Sequence, residues 1–292
     1  MKILITGAGG QLGTEIIKIL SIGEREKERG VERGIEYKGV DKNNFDITDK
    51  KATENAIISY NPDAVIHCAA YTNVEKAEEE PELCRLINEE GTKNIAYACK
   101  NINAKMMYIS TDYIFSGDGH NFYKTDDLPN PLSIYGKSKH AGEAALLKIL
   151  KRAFIVRTSW VFGAHGNNFV KTMLQLCEKH SSLNIVCDQI GSPTYTADLA
   201  PLLCDIITTE QYGIYHATNE GTCSWADFAT EIFRHAKKDV RINPIPASEY
   251  PSKAMRPHNS RLDKECLIQS GFYKLPHWTD ALDRYFKVSF YR

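Results

Sequence analysis

Short apolar, β-branched runs alternate with longer helical patterns through the first half of this chain, and no other feature narrows its fold so far. "KILIT" (2–6), "EYKGVD" (36–41), "DAVIHCA" (63–69), "AKMMYIST" (104–111) and "AFIVRTSW" (153–160) read as strands. Helical patterns fall between them at 11–21, 48–60, 84–101 and from Ser133 onward. Strands spaced by helices imply right-handed crossovers and a parallel, doubly wound sheet. The alternation loosens in the last third, where Pro246, Pro251 and Pro257 mark a long loop bordering a smaller C-terminal lobe. The run "GEREKERGVERG" (23–34) is a charge-rich insert, expected to be a solvated helix extension or a loop.

A glycine turn sits where such a sheet binds ligands. Gly7, Gly10 and Gly13, with Gln11 and Leu12 between them, follow the first strand and open the first helix. That arrangement lets backbone approach a pyrophosphate, which then rests on unpaired helix N–H groups. Asp41, ending the second strand, is placed for the adenosine ribose hydroxyls. It lies 34 positions after Gly7, farther than the usual spacing of about 20, and the charged insert accounts for the excess. Its carboxylate favours NAD over NADP, and Lys42 softens that preference. Asp46 and Ile47 in "NNFDITD" (43–49) are placed to wrap the adenine, and Ala69, Ala70 and Tyr71 end the third strand at the same rim.

The fourth strand ends in Ser110-Thr111-Asp112-Tyr113, and Tyr135 and Lys139 open the helix that follows. Residues four apart share a helical face, so phenol and ammonium can reach one cleft beside the Thr111 hydroxyl. An ammonium near a phenol lowers the tyrosine pKa from roughly 10, and the phenol can protonate a carbonyl oxygen as hydride arrives.

Composition excludes several classes. A net charge of -1 offers no surface for nucleic acid or an anionic membrane. Eight cysteines are spread singly, which fits a reducing cytosol better than a disulfide framework or a zinc site. Nine histidines show no metal-ligand spacing, so no metal is expected, and His67 reads as a hydrogen-bonded core residue. The apolar run before Gly7 is too short for a signal peptide, no stretch reaches transmembrane length, and a cytoplasmic protein is expected. Oligomeric state is not legible, and a homodimer stays open.

Together these words resemble the extended short-chain dehydrogenase/reductases, and within them the dTDP-4-dehydrorhamnose reductase family. "GAGGQLG", "FDITD", "CAAYTNVEKAE", "STDYIFSGDG", "YGKSKHAGE", "RTSWVFG", "DQIGSPTYTADLA" and "RPHNSRLD" appear in order from residue 7 to residue 263. The resemblance implies an α/β protein: a Rossmann-type sheet with a smaller substrate-binding lobe. Residues 1–162 with about 188–218 would bind NADPH or NADH, and 219–292 with part of 163–187 would bind substrate. It implies that Thr111 bonds the sugar carbonyl, Tyr135 donates the proton and Lys139 holds the nicotinamide ribose. Asp112, Tyr113 and Trp160 would line the sugar pocket, and Arg256 would close over the diphosphate of a nucleotide sugar. Trp225 is read as packing. "VEKAE" stands where the family more usually has Val-Asp-Lys-Ala-Glu. The implied activity is reduction of the C4 ketone of dTDP-4-dehydro-L-rhamnose. The alternatives are another nucleotide-sugar reductase or epimerase, or a regulatory subunit without turnover. A dehydratase is disfavoured because no Glu follows Asp112 in "STDYIF".

Overall fold

A computed structural model describes residues 1–27 and 34–290. Residues 28–33, half of the charge-rich run, lie outside them, and the first helix continues to Lys27.

Six strands form one parallel sheet: β1 (Lys2–Thr6), β2 (Glu36–Val40), β3 (Ala64–His67), β4 (Lys105–Thr111), β5 (Ala153–Thr158) and β6 (Gly213–His216). Their order is β6-β5-β4-β3-β1-β2. The chain runs outward from β1 to β2, then returns to build the other half from β3. That reversal opens a crevice at the carboxyl ends of β1 and β3, where doubly wound sheets take their ligands. The sixth strand has no counterpart among the runs read from sequence.

Alternation within each strand sends side chains to both faces. Ile3 and Ile5 pack in one buried layer with α1 (Gln11–Lys27) and with Leu199 and Leu203 of the helix Thr196–Thr208. Leu4 and Val65 point into the opposite layer, against Ile95 of Thr92–Asn101 and Leu146 of α2 (Ile134–Ile149). A sheet apolar on both faces must be covered on both, which the crossover helices do. A separate core gathers Phe162, Val170, Phe228, Ile232, Leu282 and Phe286 under the helices Trp225–Ala236 and Trp278–Phe290. Ser182–Val186 runs parallel to Arg241–Ile245 beside it.

Two local departures matter for the site. The helix read over 84–101 starts at Pro81 and passes through a π-helical turn, Leu86–Gly91, before Thr92–Asn101. The fifth strand stops at Thr158, so Trp160 lies beyond it, with a left-handed φ of 48°.

Candidate functional site

The glycine turn is built by contacts between strand ends. Gly7 has φ +69°, and a Cβ there would stand 2.6 Å from the Ala69 nitrogen, so β1 and β3 touch backbone to backbone across the crevice. Ala8 N donates to Val40 O at 3.1 Å, drawing the end of β2 to the same place. The Asp41 carboxylate, which accepts from Asn43 N at 2.8 Å, faces Gly9: a Cβ on that glycine would lie 3.9 Å from Oδ2. The first 5→1 bond of α1, Thr14 N to Gly10 O at 3.0 Å, leaves the amides of residues 11–13 in the unpaired first turn. This is the cradle a diphosphate needs, with a carboxylate where a ribose would sit.

Other expected cofactor residues are placed more specifically. The Leu12 side chain is buried in the core, so only its backbone is available to the turn. Gln11 Oε1 accepts from Asn168 Nδ2 at 3.0 Å, a tie across 157 positions that brings the loop after Phe162 over the turn. Asp46 spends one carboxylate oxygen on Thr48 N and Oγ1, both at 2.8 Å, while Ile47 packs beside Gly91. Ala70 is half-buried, and Tyr71 is clamped by Asn88, which accepts from its N–H at 2.8 Å and donates to its carbonyl at 3.1 Å. His67 bonds Thr6 at 2.7 Å, and burial lowers its pKa to about 3, as a core histidine should behave.

Thr111, Tyr135 and Lys139 come together at the ends of β4 and α2. Ser133 caps the helix by accepting from Gly136 N at 3.1 Å. Gly136 is required by close approach: a Cβ there would stand 2.2 Å from Tyr113 O. The contact presses the helix start onto the strand end and sets Tyr135 edge-on to Tyr113, ring centres 5.5 Å apart. Thr111 Oγ1 donates to Asp112 Oδ1 at 3.0 Å and accepts from Tyr113 N at 3.2 Å. Lys139 is buried, donates from Nζ to Ile109 O at 2.6 Å and lies 3.9 Å from the Tyr108 ring centre.

The electrostatics correct one expectation. Burial pushes the Tyr135 phenol up, above its ordinary range, and a hydrogen bond with Thr111 is the main opposing influence. Lys139 does not draw it down. Burial lowers the lysine itself to about 7 against the pull of Glu143, so near neutrality it carries only part of a charge. A phenol kept protonated is still a proton donor. Asp112 is likewise raised, to about 6, by burial that outweighs its hydrogen bonds from Ser260 and Thr111.

The Asp112 shift has a consequence for stability. The carboxyl's folded pKa lies above its unfolded value of 3.8, so its stabilising influence is complete below that value and is lost as pH rises through about 6. At about 1.4 kcal/mol per unit, Asp112→Asn should be more stable than the parent by roughly 2–3 kcal/mol at pH 8 and about equal at pH 4. Urea unfolding at both pH values measures this; an equal difference at the two would contradict it.

Arg256 reaches the site from the loop after Arg241–Ile245. Its Nη1 lies 3.5 Å from Tyr113 Oη, and its Nη2 donates to Glu75 Oε1 at 2.7 Å. Glu75 also accepts from Ser252 Oγ at 2.7 Å and Lys253 N at 2.9 Å. Burial works against its charge, but these three bonds outweigh it and hold the carboxyl at about 2. Residue 75, the Glu of "VEKAE", thus straps the loop down. Arg256 and Trp225 line a cavity of about 930 Å³ with Phe169, Gln189, Tyr250 and His258. Trp225, whose apolar helical spacing favours packing, is also part of the wall. Trp160 touches the cavity through it, the two indoles stacked at 3.5 Å and 10°.

A dinucleotide-type glycine cradle at the switch point, with Tyr-x-x-x-Lys at the next strand end, defines an extended short-chain dehydrogenase/reductase. Within that class the chain belongs to the dTDP-4-dehydrorhamnose reductase family: the model of the RmlD substrate binding domain matches residues 1–290. A dTDP-4-dehydrorhamnose reductase of Aggregatibacter actinomycetemcomitans is 40% identical, the alignment covering 96% of this chain and 97% of that one. The crystal structure of a dTDP-4-dehydrorhamnose reductase from Clostridium acetobutylicum superposes with a TM-score of 0.93 at 40% identity, over 99% of each chain. That of a Bacillus anthracis dTDP-4-dehydrorhamnose reductase in complex with NADP gives 0.92 at 40% identity, again over 99% of each.

Proposed function

We propose that this chain is an NAD(P)H-dependent reductase that converts dTDP-4-dehydro-L-rhamnose to dTDP-L-rhamnose by reducing the C4 ketone. The observation that carries the reading is the meeting of Thr111, a protonated Tyr135 and a buried Lys139 at one rim of the sheet. The nicotinamide cofactor, once bound, supplies the hydride. Gly7, Gly10 and Gln11 to Gly13 hold its diphosphate, Asp41 its adenosine ribose, Asp46 and Ile47 its adenine side, and Ala69 to Tyr71 its flank. Thr111 bonds the ketone oxygen and Tyr135 gives it a proton, so the alcohol forms without a free alkoxide. Lys139 holds the nicotinamide ribose. Asp112, Tyr113 and Trp160 enclose the sugar, and Arg256 meets the diphosphate with a planar fork suited to it.

The same reading assigns 1–162 with about 188–218 to the cofactor and 219–292 with part of 163–187 to the substrate; the separate buried core around Phe228 and Phe286 supports a second lobe, into which Phe162 and Tyr195 pack from the cofactor part. Among the described residues no helix is long and apolar enough to cross a membrane. We infer a cytoplasmic setting, which the singly spread free cysteines support. A homodimer is supported by exposed Leu83, Leu86 and Leu147 on neighbouring helices, and light scattering would test it.

Oxidation of NADPH and of NADH with dTDP-4-dehydro-L-rhamnose tests the activity. Turnover supports it. A wild type that binds cofactor but leaves this ketosugar unreduced overturns it, favouring another ketosugar or a regulatory role. Cofactor choice has its own test: Asp41→Asn should raise kcat/KM for NADPH relative to NADH by about tenfold, since a carboxylate beside the ribose repels a 2′-phosphate. An unchanged ratio would show that Asp41 does not face the ribose.

A further inference from the structure

Trp160 has a left-handed backbone that its surroundings must impose. A bulky side chain at φ 48° is costly and persists only where neighbours over-determine it. Those neighbours are identifiable. Trp160 O accepts from Thr194 N at 3.1 Å, and Ser159 Oγ donates to Ser192 O at 2.7 Å, so the segment is pinned on both sides of the turn. The indole is stacked face to face on Trp225. Its Nε1–Cε2–Cζ2 edge lies against Gly191, where a Cβ would stand 2.8–2.9 Å from all three atoms.

Gly191 is also a junction. Ile190–Gly191 pairs antiparallel with Cys223–Ser224, directly before Trp225. Ile190 N donates to His258 O and Ser260 N donates to Ile190 O, both at 2.8 Å, which brings in the loop that carries Arg256. Thr158, two residues before Trp160, is paired in register with Thr111. The stack therefore connects the rim holding Thr111 and Tyr135 to the cavity wall formed by Trp225.

We propose that Gly191 and Trp225 are positioning residues that fix the Trp160 indole between the reacting rim and the cavity, and so govern acceptance of the sugar end of a nucleotide sugar. The inference rests on the reductase reading for its substrate class. Gly191 works by having no side chain: a methyl group at 191 meets the edge of the indole, and the ring is the part that must move. Trp225 works by supplying the face on which that ring rests.

The decisive comparison is the affinity of dTDP-glucose against that of dTDP, by calorimetry, in wild type and Gly191→Ala, with circular dichroism reading the exciton couplet of the stacked indoles. We expect the variant to lose the couplet and to bind dTDP-glucose about tenfold more weakly, with dTDP and NADPH affinities within about twofold of the parent. With ketosugar, kcat should fall by at least about tenfold, as expected when a substrate is held slightly out of place. Trp225→Leu, which adds no atom to the slot, should also lose the couplet and the sugar-dependent part of the affinity. Adding Trp160→Phe to Gly191→Ala should restore part of that affinity, because the smaller ring clears the methyl group. A Gly191→Ala protein with wild-type dTDP-glucose affinity overturns the proposal, as does equal weakening of dTDP and dTDP-glucose. These binding and optical readouts do not require turnover, so an enzyme inactive on dTDP-4-dehydro-L-rhamnose would defeat the reductase reading and leave this one decided by its own measurements.

Discussion

Tyr135→Phe is expected to reduce ketosugar turnover by at least about a hundredfold while NADPH affinity stays within about twofold, the usual scale for loss of a general acid. The change removes one oxygen and keeps the ring. Packing against Tyr113 at 5.5 Å and the helix start held by Ser133 should therefore survive. What is lost is the phenol oxygen that interacts with Thr111, and with it the proton it carries. Because burial holds that phenol neutral, the group is loaded as an acid across the physiological range. Activity should then fall toward alkaline pH only when some other group titrates, Lys139 at about 7 being the nearest candidate. Steady-state rates and a cofactor titration on the same preparation check this. A variant within about fivefold of the parent would remove Tyr135 from the reaction.

The largest stability effect should come from the buried pair Glu143 and Arg157. Glu143, one turn beyond Lys139 on α2, accepts from Arg157 Nε at 3.0 Å and Nη2 at 2.8 Å, and both side chains are almost fully buried. Arg157 completes its bonding with Thr125 O at 3.1 Å and lies 5.3 Å from the Phe115 ring centre. Its Nη1 is 3.4 Å from His216 Nε2, and that ring is kept neutral, at about 3, mainly by burial and then by the guanidinium itself. With Nε2 accepting, His216 Nδ1 is left to donate to Asp263 O at 3.0 Å, which ties in the end of the "RPHNSRLD" segment. Glu143→Ala strands a buried cation and should cost about 3–5 kcal/mol. Glu143→Ala with Arg157→Met removes both charges and should recover most of that loss. Denaturant unfolding of the three proteins decides it: a single-variant loss below about 1 kcal/mol, or a double variant no better than the single, would mean the pair is not the anchor its geometry describes.

How much of this could be read from residues alone depended on whether the signal was local. Four of the first five strands were legible as compact, mostly buried runs, the edge strand Glu36–Val40 was legible from its place between helical patterns, and the crevice followed from their order. The sixth strand, Gly213–His216, is four residues long and begins with a glycine, so it carries no pattern to find. Thr111, Tyr135 and Lys139 were legible as words at strand and helix ends. Their pKa behaviour was not, because the direction of the Tyr135 shift depends on how deeply tertiary packing buries the phenol. Glu75 as the strap for Arg256 depends on a contact across 181 positions. Trp225 carries apolar helical spacing and is capped by Ser224 and Asp227, so local reasoning assigned it to packing. Its place on the cavity wall depends on tertiary packing against Trp160, across 65 positions of sequence, which no local signal marks. Leu12 lies inside the glycine motif, yet helical periodicity turns its side chain into the core, so only its backbone can serve the turn.

The measurement that tests the account most directly is transfer of deuterium from NADPH carrying deuterium at both C4 positions to dTDP-4-dehydro-L-rhamnose, followed by NMR of the product. The account predicts one deuterium per sugar, bonded to C4, in a product with the configuration of dTDP-L-rhamnose. A sugar recovered without deuterium from a protein shown to bind both cofactor and nucleotide sugar, or deuterium on any other carbon, would contradict it.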